Sequence, residues 1–242
     1  MLKQDAMTPL YVQLMDEVEK DIKNGKYKPG DRIMTESEMA KVYGVSLITV
    51  RKAIGSLMEK GLVVRRQGKG TFVTKPKISR DMKKLQSFSE MCRQMGAVPG
   101  AKMLENRLVE ADEKIAEKLG VEKGSSVVYI SRLRFADQEP VQIERNYFPL
   151  KYAFLLDAKF DDNSLFDFLK EKAGTQVAGS EKVIELCRAT AEEAGLLGVK
   201  KEDYLLFVRS TAYDAEGAPI YAGVQVINGD RFSLYVYESS GE

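Results

Sequence analysis

The chain has no histidine, no tryptophan and only two cysteines in 242 residues. Without histidine there is no Ser-His-Asp or Cys-His relay, and the commonest transition-metal ligand is missing. No catalytic residue, metal site or cofactor is therefore expected. Cys92 and Cys187 lie far apart with no CxxC, which fits two inert thiols in a reducing compartment better than a disulfide framework. No apolar run approaches the ~20 residues that span a bilayer. The opening MLKQDAMTPLY lacks a basic start followed by an apolar stretch, so neither a signal peptide nor a membrane partner is expected, and the cytoplasm is the expected location.

Net charge is also small, +1, but it is unevenly placed. Residues 1–77 hold 15 Lys and Arg against 9 Asp and Glu, an excess of six; the remainder holds 22 against 27, a deficit of five. A basic N-terminal part on an acidic remainder suits a polyanion-binding module joined to a second function. The length suits two domains, expected at 1–75 and 85–242 with a polar linker over 76–84.

In the first part, Leu10, Leu14, Val18 and Ile22 recur every four residues behind Pro9, as in an amphipathic helix ending near Asn24-Gly25. Thr35 and Glu38 have capping-box spacing before a short helix over Met39, Val42 and Tyr43 that Gly44 ends. Ser46 then caps a helix with the core stripe Val50, Ala53, Ile54, Leu57 and Met58. Two short helices across a tight turn form a helix-turn-helix. The strands Leu62–Val64 and Thr71–Val73 follow, around the basic, glycine-containing tip Arg65-Arg66-Gln67-Gly68-Lys69-Gly70, as in a DNA-binding wing. Ile48, Thr49, Lys52 and Ser56 lie opposite the core stripe, and Arg51 flanks them. Arg51 suits guanine, Thr49 a base edge or phosphate, and Ile48 a thymine methyl. Lys52, Arg66 and Lys69 suit phosphates. A solvated helix beside a basic hairpin is the plainer reading of any one of these residues.

The pieces PLYVQL, NGKYKPGDRI, ESEMAKVYGVS, TVRKAI and EKGLVVRRQGKGTFV resemble the DNA-binding domain of the GntR regulator family. The resemblance implies a winged helix-turn-helix, a homodimer and palindromic double-stranded operator DNA. It assigns Thr35, Ser37, Ser46, Leu47, Ile48, Thr49, Arg51, Lys52 and the 65–70 tip to the DNA-binding set. Family members often carry arginine where Ser37 and Leu47 stand and proline where Met34 stands. The mode of binding thus carries over, while base reading shifts toward apolar contacts from Leu47 and Ile48.

The second part reads as α+β. Helices are expected over Leu85–Gly96, Asp112–Leu119 and Leu165–Lys172, and strands over Lys102–Val109 and Glu181–Leu186. An internal repeat relates AEKLGVEKGSSVVYISRLRFADQEPVQIERNYF to AGLLGVKKEDYLLFVRSTAYDAEGAPIYAGVQVI, matching Arg132 with Arg209 and Pro140 with Pro219. Two such helix-hairpin units would share one antiparallel sheet with helices packed on it. Arg132 and Arg134 share a strand face, as do Gln142, Glu144 and Asn146 on the return strand. Paired guanidiniums suit a phosphate or carboxylate. From spacing alone, a surface ion network of Arg132, Arg134 and Glu144 is the slightly better fit.

Leu85-Gln86-Ser87-Phe88, Arg132-Leu133-Arg134, Glu144 to Pro149, Asn163 to Phe166 and Gly229 to Phe232 resemble the HutC-type ligand-sensing (UTRA) domain, which shares its fold with chorismate lyase. The resemblance implies that Arg132, Arg134 and Ser164 hold a phosphate, and that Glu144 and the backbone at Ser87 and Phe88 meet a sugar. Phe166, Tyr221 and Arg231 complete the expected effector set. Relatives often carry glutamate at Tyr221, arginine at Asn228 and tyrosine at Phe166 and Ile227, so an anion grip is kept while the part facing the organic moiety differs. The expectation is a transcriptional regulator of repressor type, controlled by a small anionic metabolite. The alternatives are a chorismate-lyase-like enzyme fused to a DNA-binding domain, and an architectural DNA-binding protein with no ligand.

Overall fold

The computed structural model describes residues 7–66, 68–75, 77–158 and 164–239. The chain separates into two compact units, residues 1–76 and 77–242.

In the first unit, helix α1 (Leu10–Lys23) buries Leu14, Met15 and Val18. Helix α2 (Glu36–Tyr43) starts at a complete Thr35–Glu38 capping box and stops at Gly44, whose left-handed φ of 66° turns the chain into the next helix. Helix α3 (Leu47–Glu59) is capped by Ser46 and buries Val50, Ala53, Ile54 and Leu57 against α1 and α2. Fully buried aliphatic side chains of this kind each contribute about 1.5–3 kcal/mol. Two residues assigned to the core stripes stand outside it: Val42 and Met58 are exposed, because helices this short bury only one turn-wide stripe. Strands β1 (Val63–Arg66) and β2 (Gly70–Val73) form the antiparallel hairpin. Residues 30–33 bond along β2, through Gly30 N to Val73 O and Ile33 N to Thr71 O, and so brace the wing.

The second unit is built on a six-stranded antiparallel sheet, ordered β4-β5-β6-β9-β8-β7. Its strands are β4 (Pro99–Glu110), β5 (Ser126–Ala136), β6 (Glu139–Pro149), β7 (Gly179–Arg188), β8 (Tyr204–Tyr213) and β9 (Pro219–Ile227). The repeat is visible in this order as two three-stranded halves that meet at β6 and β9. Helices α5 (Glu113–Leu119) and α7 (Ala191–Leu197) pack on one face, over Val127, Leu133, Ile143 and Val226. The other face carries α4 (Phe88–Gln94), the 3₁₀ stretch Leu150–Asp157 and α6 (Leu165–Ala173).

The expected linker over 76–84 contains a strand. β3 (Ile78–Asp81) pairs in parallel with β10 (Phe232–Tyr235), with Ile78 opposite Phe232 and Arg80 opposite Leu234. Ile78 and Arg80 are buried. The segment is polar in composition, but its partner lies at the far end of the chain and supplies the backbone hydrogen bonds. The helix expected from Leu85 starts at Phe88 instead, after a Ser87–Glu90 capping box, and leaves Leu85 exposed.

Candidate functional sites

In the first unit, Leu47 and Ile48 stand out from the start of α3 with 43% and 77% of their surface exposed. Exposed aliphatics of this size at a helix N-terminus have no packing role, and they lie where a groove-reading helix presents its first turn. Ser46 Oγ accepts from Thr49 N at 3.2 Å and its hydroxyl lies 2.9 Å from that of Thr49. Thr35 likewise caps α2, and Ser37 is exposed beside it. The wing tip at Gly68 and Lys69 is exposed. Gly70 opens β2, and Gln67 lies outside the described residues.

Four cations of this surface, Arg51, Arg65, Lys52 and Arg66, contact neighbours. Arg51 Nε donates to Glu36 at 2.8 Å, and Arg65 pairs with the other oxygen of the same carboxylate. The Arg51 bond, with help from Arg65, holds the Glu36 carboxyl below the usual range against the opposing effect of burial. Lys52 Nζ sits 3.9 Å from the centre of the Tyr11 ring, and Arg66 stacks on Phe72 at 4.9 Å. Glu36 was not among the sequence candidates, although its place in ESEMAKVYGVS faces both arginines.

In the second unit, a cavity of about 40 Å³ lies against the sheet. Ser87, Phe88, Arg132, Arg134, Glu144, Ser164, Phe166 and Tyr221 all line it, so one place gathers eight residues from five elements or their caps. Arg132 and Arg134 are 2% and 3% exposed and Glu144 is 6% exposed, which removes the surface-network alternative. Glu144 accepts from Arg132 Nη2 at 2.7 Å, from Arg134 Nη1 at 3.3 Å and from Gln142 Nε2 at 2.7 Å. Arg134 also donates to Ser89 Oγ at 3.0 Å and to the Gly100 carbonyl at 3.3 Å, and lies 4.6 Å from the centre of the Phe88 ring. Burial raises the Glu144 carboxyl, but the two guanidiniums outweigh it and hold it below the usual range; burial lowers Arg132. Ser87 and Ser164 are the N-caps of α4 and α6, so backbone N–H groups converge near the same space.

Arg231 is a correction. It lies apart from the cavity, with Nε 3.3 Å from Glu139, and its carbonyl accepts from Ile78 N, so it anchors β3. The match of Arg132 with Arg209 is a second correction. Pro140 and Pro219 are equivalent, and four residues on from each stand Glu144 and Gly223. Glu144 faces Arg132 across the ladder, whereas Gly223 faces Ser210. Arg209 is one residue out of step and points to the other face, where it pairs with Glu185. Gly223 is required, since a Cβ there would stand 2.5 Å from Asn146 Oδ1. Arg80, Gln86, Met91, Leu165 and Gln225 also line the cavity without having been candidates. Gln225 lies directly across from Glu144 in the register between β6 and β9, which sequence spacing does not supply.

An uncovered recognition helix and basic wing, on one chain with a sheet domain that encloses a charged cavity, define a ligand-responsive DNA-binding regulator. Residues 10–73 match the profile of bacterial regulatory proteins of the gntR family, and residues 94–233 that of the UTRA domain. The chain is 31% identical over 236 residues to the HTH-type transcriptional repressor NagR of Bacillus subtilis (strain 168), over 98% of this chain and 97% of that protein. It is 28% identical over 234 residues to the mannosyl-D-glycerate transport/metabolism system repressor MngR of Escherichia coli (strain K12), over 96% and 98%. The crystal structure of PhnF from Mycobacterium smegmatis matches with a TM-score of 0.68 at 26% identity, over 94% of this chain and 100% of that one. The chain belongs to the gntR family of bacterial transcriptional regulators and carries a UTRA domain. It is a DNA-binding regulator; these relatives are regulators too, and the enzyme alternative finds no support among them.

Proposed function

We propose that the protein is a cytoplasmic homodimeric repressor that binds a palindromic operator through α3 and the wing, and that an anionic metabolite held at Arg132 and Arg134 releases it. The observation that carries this reading is the buried Arg132–Glu144–Arg134 cluster on the wall of a cavity. Among the described residues two guanidiniums face one carboxylate in a place where isolated charge is expensive. A phosphate or carboxylate from outside supplies the missing charge, with the N-termini of α4 and α6 beside it.

The size of the cavity supports one route to release. Ordinary ligand pockets hold about 300–1,000 Å³, far above the 40 Å³ here. A metabolite therefore enters only if the lining moves outward, and α4 and α6, which cover the cavity, are the elements that give way. A homodimer is supported by β7, an edge strand ten residues long that exposes Val183, Ile184 and Leu186; such edges are normally covered. Among the described residues no helix is long and apolar enough to cross a membrane.

The test is a thermal-shift screen against phosphorylated and carboxylated metabolites. A ligand at 100 times its Kd stabilises by about 2.7 kcal/mol. The same ligand should release operator DNA, and the Arg132→Ala/Arg134→Ala double variant should lose both responses. A double variant that still responds to that ligand overturns the proposal.

A further inference from the structure

We propose that Arg80 is a second anion-binding residue of the same cavity, so that the effector is a small molecule with two acidic groups: one at Arg132 and Arg134, the other at Arg80. The inference rests on the effector site just proposed and adds the chemical class of its ligand.

Arg80 lines the cavity and is 8% exposed. Its guanidinium offers five N–H donors, yet its hydrogen bond is a single long one, from Nη1 to Gln225 Oε1 at 3.3 Å. No carboxylate among the described residues lies in salt-bridge range of it. Glu144, the buried carboxylate of the cavity wall, already accepts from Arg132, Arg134 and Gln142. Three guanidiniums therefore share one carboxylate on the described wall, an excess of two positive charges. Burying a guanidinium without a counter-charge costs several kcal/mol, and β3 carries that cost for no packing gain that a leucine or methionine would not give.

The repeat shows how the two halves of this face differ. Where the first half carries Arg132 and Glu144, the second half carries Ser210 and Gly223. Asn146 fills the space over Gly223, so the second half has no ion pair of its own, and the cation on this side is Arg80, bonded to Gln225 from β3. Ser210 Oγ is buried there with no hydrogen-bond partner. Lys182, directly across from Ser210, and Tyr221 are both within electrostatic reach of Arg80. Glu144 stands between the two cationic ends: Arg132, Glu144 and Gln225 lie in one row across three adjacent strands, so the backbone of Arg132 and that of Gln225, the partner of Arg80, are roughly two strand spacings, ~10 Å, apart. A single phosphate does not bridge that distance. A molecule with an acidic group at each end does, with hydroxyls between them to meet the Glu144 carboxylate.

The test uses full-length protein with inorganic phosphate as the probe, at ionic strength held constant with sodium chloride. Above the dissociation constants, the rise of the melting temperature per decade of phosphate scales with the number of ions bound. Wild type is expected to show the slope of two ions. Arg80→Met and Arg134→Met are each expected to show about half of it, and Arg80→Lys to keep most of it. Without phosphate, Arg80→Met should melt at or above wild type, because an uncompensated buried charge is gone. Arg80→Gln replaces it if the methionine variant does not fold. A wild-type slope of one ion, or an Arg80→Met slope equal to wild type, overturns the second subsite. If Arg134→Met alone is flattened, the single-anion site stands without it. Equal slopes in all the proteins overturn the second subsite and the effector site together.

Discussion

Glu144 is the residue on which the ligand cavity depends. It is the carboxylate that two buried guanidiniums share. Removing one partner of a buried ion cluster typically costs about 3–5 kcal/mol because the others are left uncompensated. Glu144→Gln is therefore expected to lower the unfolding free energy measured in urea by that amount, with phosphate restoring part of the loss. A variant as stable as wild type in phosphate-free buffer would show that the arginines find other partners. Lys182 makes a second prediction. Burial, aided by the charge of Arg80, lowers its ammonium from 10.5 to about 8. Between pH 8 and 10.5 the unfolded chain then binds more protons than the folded one, so this group adds stability as pH rises through that window. Below pH 8 both states are protonated and the penalty of burial is complete. Lys182→Met should be stabilised relative to wild type at pH 7, and the gain should shrink by pH 10. A gain that does not change with pH would assign it to packing.

At the scale of elements, Glu36 joins three pieces of the DNA-binding unit: α2, which carries it, α3 through Arg51, and β1 through Arg65. Pairing of both arginines with this carboxylate competes with their pairing to a polyanion. Its negative charge also opposes DNA phosphates nearby. Glu36→Gln is expected to raise affinity for non-operator DNA and to narrow the gap between operator and non-operator binding, measured by fluorescence anisotropy at two salt concentrations. An unchanged ratio would mean that the pairing is incidental.

The elements also show what could be read in advance. The helix-turn-helix was legible because Thr35, Ser46 and Gly44 are local signals whose capping geometry needs no distant partner. The β5–β6 and β8–β9 hairpins were legible because a repeat doubles the signal. β3 was not legible, since four residues with a lysine-rich flank acquire strand character only from β10. With β3 misread, Arg80 was hidden as well. Arg209 was misplaced for a different reason: in a strand, a slip of one position moves a side chain to the opposite face, and the second copy has one more residue than the first in the turn between β8 and β9. Gln142 was legible from alternation along one strand, whereas Gln225 needed the register between β6 and β9, which sequence spacing does not give.

For the whole molecule, control of DNA binding by a metabolite is a coupling free energy, and it is reciprocal. If ligand weakens operator binding tenfold, operator weakens ligand binding tenfold. Titrating the screened ligand into free protein and into protein saturated with operator should give dissociation constants that differ by the same factor as the operator affinities. A mismatch of the two factors would mean that a third process, such as a change of oligomeric state, is linked to binding. The homodimer proposed through the β7 edge makes that a direct concern: if it forms there, Leu186→Lys is expected to shift the protein toward monomer in light scattering and to weaken operator binding. A variant that stays dimeric would place the interface elsewhere.

The pairing of β3 with β10 also sets a schedule for biosynthesis. The winged helix-turn-helix is made of contacts local to the first part of the chain, and it can fold while the rest is still being translated. Ile78 cannot take its place beside Phe232 until nearly all of the sensing domain has been made. A growing polypeptide thus acquires a DNA-binding head early and its restraint late. Chains cut short before β10 would carry a head whose adjoining strand has nowhere to dock, and the operator would be bound without regard to the metabolite.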